Sequence, residues 1–87
     1  MTRTSFEQCE HVYDQLAKLM QRYEEIHIFV RRMIYDLTDV PYVFDKINTK
    51  AEYDPCAKKL LWYAHIYYKV SYTKMVECMQ KEILTRI

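Results

Sequence analysis

The sequence predicts an all-α fold, in which a long antiparallel helical hairpin with a short connector helix dimerises into a four-helix bundle. Over two long stretches, apolar residues recur at alternating steps of three and four, which is the period of one helix face. The 87 residues include no glycine and two prolines, so tight turns are scarce and a many-stranded sheet is disfavoured. Hydrophobic residues make up 51% of the chain and nine residues are tyrosines, a composition that argues against a disordered chain.

The length limits the chain to a single domain over residues 1–87. The pattern divides it into helix 1 (about residues 5–37), a connector (residues 38–54) and helix 2 (about residues 55–86). A domain of this size buries a modest fraction of its surface and is marginally stable unless association enlarges its core. Apolar positions that a lone hairpin leaves uncovered therefore indicate association.

Helix 1 carries an apolar face that is wider than a two-stranded coiled coil needs. Thr4 and Glu7 fit a capping box at its start. A main row at 3-4 spacing and a second row at seven-residue spacing lie side by side, so other helices must cover the face. Together these rows, the helix 1 pattern, are Phe6, Cys9, Tyr13, Leu16, Met20, Tyr23, His27, Val30, Ile34 and Leu37, with Val12, Leu19, Ile26 and Met33 beside them.

Three apolar residues, Ile28, Phe29 and Tyr35, lie off this face, on the side of helix 1 that should be polar. A helix that is apolar on most of its sides is usually buried on most of its sides. These residues are therefore predicted to meet another chain, unless the connector folds back over them. Helix 1 should end near Thr38, because Pro41 disfavours helical geometry at the residue before it.

The connector contains its own apolar stretch. Asp39 is suited to cap a short helix from Val40 to Ile47, with Pro41 tolerated in the first turn. The alternative is a short strand at Tyr42–Phe44, paired with Ile66–Thr73, where strand-forming residues alternate at period two. A helix is favoured at the second segment, since the helical pattern continues on both sides of it without a turn residue.

Helix 2 should begin with Asp54 as its cap and Pro55 in its first turn. Its inner row, which should face helix 1, again steps by three and four. This row consists of Leu61, Ala64, Tyr68, Tyr72, Met75, Met79 and Ile83.

A second apolar patch lies on the outer side of helix 2. Its members are Trp62, Tyr63, Ile66 and Val70, with a basic rim of Lys58, Lys59 and Lys69. Aromatic anchors within such a rim are typical of binding hot spots, which predicts a protein-interaction module, such as an assembly subunit, adaptor or small inhibitor, binding a protein partner or a second copy. Helix 1 or the connector would cover the patch if its role is purely structural.

The alternative function is a nucleic-acid-binding or regulatory module that stacks bases on this patch. From residue 55 onward the chain carries a net charge of +4, which would favour a polyanion. The whole chain has a net charge of only +1. Because phosphate neutralisation supplies most nucleic-acid affinity, the protein interface is the preferred interpretation.

The histidines, serines and cysteines do not form a catalytic or metal site in the sequence pattern. Glu24 and His27 have the i, i+3 spacing of di-iron bundles, but those sites need two such pairs, and His65 has no glutamate three residues before it. His27 is therefore expected to be a buried histidine, and no metal or other cofactor is expected. Neither Ser5 nor Ser71 lies near a His-Asp pair in sequence, and a chain without glycine cannot form a glycine-rich phosphate loop. No catalytic residue is assigned, and the protein is not expected to be an enzyme.

Three cysteines, Cys9, Cys56 and Cys78, show neither a CxxC pair nor a metal-ligand spacing. They are predicted to be reduced thiols that serve as small core hydrophobes in an intracellular protein, cytoplasmic or nuclear. Pairing of Cys9 with His27, or of Cys56 with His65, stays open, but nothing favours such a nucleophile. Neither a signal peptide nor a membrane span is expected, because the first residues are polar and no run approaches about 20 apolar residues.

Overall fold

The fold is that of a computed structural model, which describes residues 5–39 and 58–87. Within these two ranges the chain is helical and contains no strand, so the predicted all-α class is confirmed there. The helices are α1 (Ser5–Met20), α2 (Tyr23–Thr38), α3 (Lys58–Tyr68) and α4 (Tyr72–Arg86).

Several predicted features lie outside the described residues. They are the cap Thr4, the connector helix Val40–Ile47 with its strand alternative Tyr42–Phe44, the helix 2 start at Asp54 and Pro55, and Cys56.

The structure divides helix 1 into α1 and α2, which corrects the prediction of one helix over residues 5–37. α1 ends one residue before Gln21, whose backbone is left-handed with a φ of 60°. The Gln21 N–H donates to the Ala17 carbonyl at 2.9 Å, which satisfies one of the orphan carbonyls at the end of α1. The chain therefore turns here by an ordinary helix-ending motif, although no glycine is present to adopt it.

α2 ends at Thr38, where helix 1 was predicted to end. Asp39 is left-handed, with a φ of 55°, and its N–H donates to the Tyr35 carbonyl at 2.7 Å. The Thr38 hydroxyl donates to the Ile34 carbonyl at 2.8 Å. Two of the last carbonyls of α2 thus find donors from the residues that end the helix.

Helix 2 is also divided, which corrects the prediction of one helix over residues 55–86. Lys69 is left-handed, with a φ of 56°, and the Val70 N–H donates to the Ala64 carbonyl at 3.3 Å. The Val70 carbonyl in turn accepts a hydrogen bond from Nδ1 of His65 at 3.0 Å. This break falls within the segment of strand-forming residues, where the local preference for helix is weakest.

Lys69→Gly is expected to raise the free energy of unfolding by about 0.5–1 kcal/mol. A residue with a Cβ atom costs about 1–2 kcal/mol in the left-handed region, and glycine avoids this cost. The greater entropy of glycine in the unfolded chain offsets part of the resulting stabilisation. Lys81→Gly is the matched control, because Lys81 is an exposed lysine in the interior of α4, where glycine should cost about 1 kcal/mol. Chemical denaturation measures both changes. A loss of stability in Lys69→Gly would contradict the left-handed assignment.

One hydrophobic core joins the four helices, and α1 packs most extensively against α4. Smaller contacts join α2 to α1, α3 and α4. Most of the helix 1 pattern is buried, so the periodicity located the correct face in spite of the break. The largest fully buried side chains come from all four helices and are Cys9, Leu16, Val30, Ile34, Leu60, Leu61, Met75 and Met79.

Candidate interaction surface

The residues predicted to form an interface differ in their exposure. Ile28 is the most exposed of them, at 59%. Val70 is not on the outer surface as predicted, because the α3–α4 break turns it into the core, where it is 5% exposed. The remaining members are exposed (Tyr35, Trp62, Ile66) or half-buried (Phe29, Tyr63).

Tyr67 joins Trp62, Tyr63 and Ile66 to form what we call the α3 surface. Tyr67 is 68% exposed, and its ring centroid lies 6.0 Å from that of Tyr63, one turn earlier on α3. Tyr67 was not among the interface residues predicted from the sequence, although its four-residue spacing from Tyr63 indicated that the two share a helix face. Two i, i+4 apolar pairs thus lie next to each other on one helix.

Trp62 belongs to an aromatic cluster that comprises Phe6, Trp62, His65 and Tyr72. The Phe6 ring meets the indole edge-on, with 5.1 Å between ring centroids. Tyr72 stacks on His65 at 4.0 Å and contacts Phe6 at 5.5 Å. Because Phe6 on α1 and Tyr72 on α4 both contact the indole, the exposed part of Trp62 is preorganised for contact with a partner.

The three lysines of the predicted basic rim do not play the same role. Nζ of Lys58 lies 2.9 Å from Oδ1 of Asp14 and 3.8 Å from Oε2 of Glu10, both on α1. Lys59 and Lys69 are exposed. Part of the positive charge is therefore engaged within the chain, which weakens the attraction of this side for a polyanion.

Ile28 and Phe29 line a groove of about 470 Å³ between α2 and α4. Arg86 bounds this groove with two ion pairs, from Nη2 to Oε1 of Glu25 at 2.8 Å and from Nε to Oε2 of Glu82 at 2.9 Å. Hydrogen bonds to Glu82 and Glu25 raise the pKa of Arg86. The beginning of α2 is thereby linked to the end of α4.

Two titratable groups are buried at the aromatic cluster. Burial, with a smaller effect of Glu10, raises the pKa of the Cys9 thiol to about 12. Burial, and to a smaller extent the nearby Cys9 thiol, raise the pKa of Tyr72. The Tyr72 hydroxyl has no hydrogen-bond partner within the described part of the chain. A buried thiol with a raised pKa is a poor nucleophile at neutral pH. Cys9 therefore serves as a core hydrophobe, as predicted, and both Cys9 and Cys78 are free thiols.

Stability is expected to fall as the pH rises above 9, the ordinary pKa of the Cys9 thiol in the unfolded chain. The folded chain favours the neutral thiol, so this contribution is complete below pH 9 and is lost progressively as the pH approaches about 12. Cys9→Ala should make the decline shallower, whatever its effect on stability at neutral pH. Urea denaturation at a series of pH values measures the slope, and equal slopes for the two proteins would contradict this assignment.

His27 is buried, as expected, and its ring centroid lies 5.3 Å from that of Tyr23. Across residues 5–39 and 58–87, no three His, Cys, Asp or Glu side chains are grouped so that they could hold a metal ion. In the same ranges, none of the helices has the length and hydropathy that crossing a bilayer requires.

Comparison of the chain with protein-family models, with curated proteins and with solved structures finds no match.

Proposed function

We propose that the protein acts by binding another protein through the α3 surface, without catalysing a reaction. The observation that carries this proposal is the placement of Trp62, Tyr63, Ile66 and Tyr67 together on one outward side of α3. Aromatic side chains on a rigid helix lose little conformational freedom on binding and are enriched in interface hot spots. A groove or a second helix on the partner would cover them.

A second contact region is available on α2, where Ile28 and Phe29 line the α2–α4 groove and Tyr35 is exposed. The partner is either a second copy of the chain or a different protein, for which this chain would be an assembly subunit, an adaptor or an inhibitor. The predicted dimer of unbroken hairpins would require the residues at both breaks to become helical. Two copies of the compact fold would instead meet through their exposed surfaces. The free thiols of Cys9 and Cys78 favour an intracellular setting for this role.

The test is purification of the tagged protein from the cells that produce it, followed by identification of stoichiometric companions. Ile66→Glu places a charge in the middle of the α3 surface and should abolish co-purification. Gln80→Glu adds the same charge to an exposed position of α4 and should not. Equal recovery of the companion with both variants would contradict the proposal.

A nucleic-acid-binding or regulatory module is the alternative. Lys59 is exposed on α3, the helix that carries Trp62 and Tyr67, and Lys69 is exposed just beyond the end of that helix. With Lys58 paired to α1, we expect single-stranded oligonucleotides to bind weakly, with an affinity that falls steeply with salt. Fluorescence anisotropy at physiological salt measures this binding. Tight binding that is lost in Trp62→Ala would favour the alternative instead.

A further inference from the structure

The α1–α2 break exposes two residues that belong to the helix 1 pattern. Leu19 is 41% exposed and Tyr23 is 44% exposed, whereas every other residue of that pattern is buried or half-buried. The exposure is therefore confined to residues that flank the turn at Gln21 and Arg22. A pattern that is covered everywhere except at a turn indicates that a conformation without the turn would cover all of it.

The local sequence at this break favours an unbroken helix. Residues 19–24 are Leu-Met-Gln-Arg-Tyr-Glu, with neither glycine nor proline, and most of them are good helix formers. Gln21 is nevertheless left-handed, which disfavours any residue with a Cβ atom. Arg22 is extended, and its side chain makes no capping hydrogen bond at the start of α2. Tertiary packing thus imposes the turn against the local preference.

The α3–α4 break is built differently. His65 donates a hydrogen bond to the Val70 carbonyl, and Val70 itself is buried in the core. At the α1–α2 break, Gln21 and Arg22 are both exposed, and Arg22 pairs with Glu24 at 3.7 Å on the surface. The residues of the α1–α2 turn itself can therefore become helical with less loss of buried contacts than those of the α3–α4 turn.

We propose that two copies of the chain exchange α1. In the exchanged dimer, Gln21 and Arg22 become helical, residues 5–38 form one straight helix, and α1 of each copy packs on α4 of the other. Exchange re-forms the most extensive interface of the fold between the two copies. The surface of α4 that α1 leaves in each copy is therefore covered by α1 of the second copy. This inference goes beyond the proposed function, because it does not use the α3 surface.

The position of the break supports this geometry. Gln21 lies at the midpoint of residues 5–38, so two straight helices that cross antiparallel would meet at their hinges. Leu19 and Tyr23 of both copies would then lie next to the twofold axis, where they would be buried against each other. Straightening also converts the end of α1 and the start of α2 into helix interior, where backbone N–H and carbonyl groups pair within the helix.

Gln21→Gly and Gln21→Ala form a matched pair that should shift the equilibrium in opposite directions. Glycine adopts the left-handed turn freely and disfavours the straight helix, whereas alanine does the reverse. After refolding at high concentration, sedimentation equilibrium should give a dimer dissociation constant at least about tenfold lower for Gln21→Ala than for Gln21→Gly, since each dimer contains two hinges. Gln21→Asn should behave like glycine, because asparagine tolerates the left-handed region and is a weak helix former.

A distance measurement separates exchange from ordinary association. Spin labels carried by non-natural amino acids at Gln8 and Asp36, both exposed, report on the α1–α2 angle. The compact fold is 32 Å along its longest axis. A straight helix would separate the labelled backbones by about 42 Å.

A dimer with the longer distance would support the proposal. It would be overturned by a dimer that shows only the compact distance, by equal dissociation constants for the matched pair, or by a Gln21→Ala protein that stays monomeric. Ile66→Glu should leave the distance in the dimer unchanged, so a failure of the proposed function and a failure of this inference can be distinguished.

Discussion

Leu16→Ala should lower the free energy of unfolding by about 2–5 kcal/mol. Leu16 is fully buried on α1, the helix that packs most extensively against α4. Truncation removes its apolar contacts and leaves a cavity, which the surrounding helices can only partly fill. Because a small domain has a total stability of about 5–15 kcal/mol, this one substitution removes a large share of it.

Leu84→Ala is the matched control for this prediction. Leu84 is 76% exposed on α4, so the same substitution there should change the free energy of unfolding by less than about 0.5 kcal/mol. Urea denaturation followed by circular dichroism measures both variants. Similar losses at the two positions would show that the core does not lie where the fold places it.

Tyr67→Ala should weaken binding of the co-purifying partner by about 30-fold or more, which corresponds to about 2 kcal/mol. A hot-spot aromatic residue supplies much of the area that a partner desolvates, and its loss also leaves the facing pocket on the partner unfilled. Tyr67 is mostly exposed in the single chain, so the substitution removes few contacts within the fold. The thermal midpoint should therefore change little while the affinity falls.

Titration calorimetry with the purified partner measures this loss of affinity. Leu84→Ala again supplies the control, because it removes a similarly exposed apolar side chain from a different helix. It should bind like the parent protein. If Tyr67→Ala and Ile66→Glu both retained the parent affinity, the α3 surface would have no part in binding.

The buried face of helix 1 could be predicted from the sequence, but the turn within it could not. The steps from Met20 to Tyr23 and on to His27 keep the 3-4 spacing, so the pattern continues through the turn without a change of phase. A left-handed turn is usually marked by glycine, and here Gln21 and Lys69 take that conformation instead. Asp39 is easier to anticipate, because aspartate visits the left-handed region more readily than most residues.

The candidate surface was predicted only in part, because the α3–α4 break was not predicted either. Trp62 and Ile66 lie outward as the helical period requires, but the same period carried on to Val70, which lies beyond the break and is buried. The pairing of Lys58 with Asp14 joins two residues far apart in the chain. Local periodicity carries no information about such a contact, so the basic rim was predicted to be more available than it is.

The pairing of α1 with α4 also determines when the protein can fold as it is made. A ribosome adds about 5–20 residues per second, and during that time α2 and α3 emerge before α4 does. The nascent α1 therefore waits for seconds with its apolar face uncovered, because the contact that covers it closes a loop around the two intervening helices. Chaperones, or the α4 of a neighbouring nascent copy on the same polysome, have their best access to α1 in that interval.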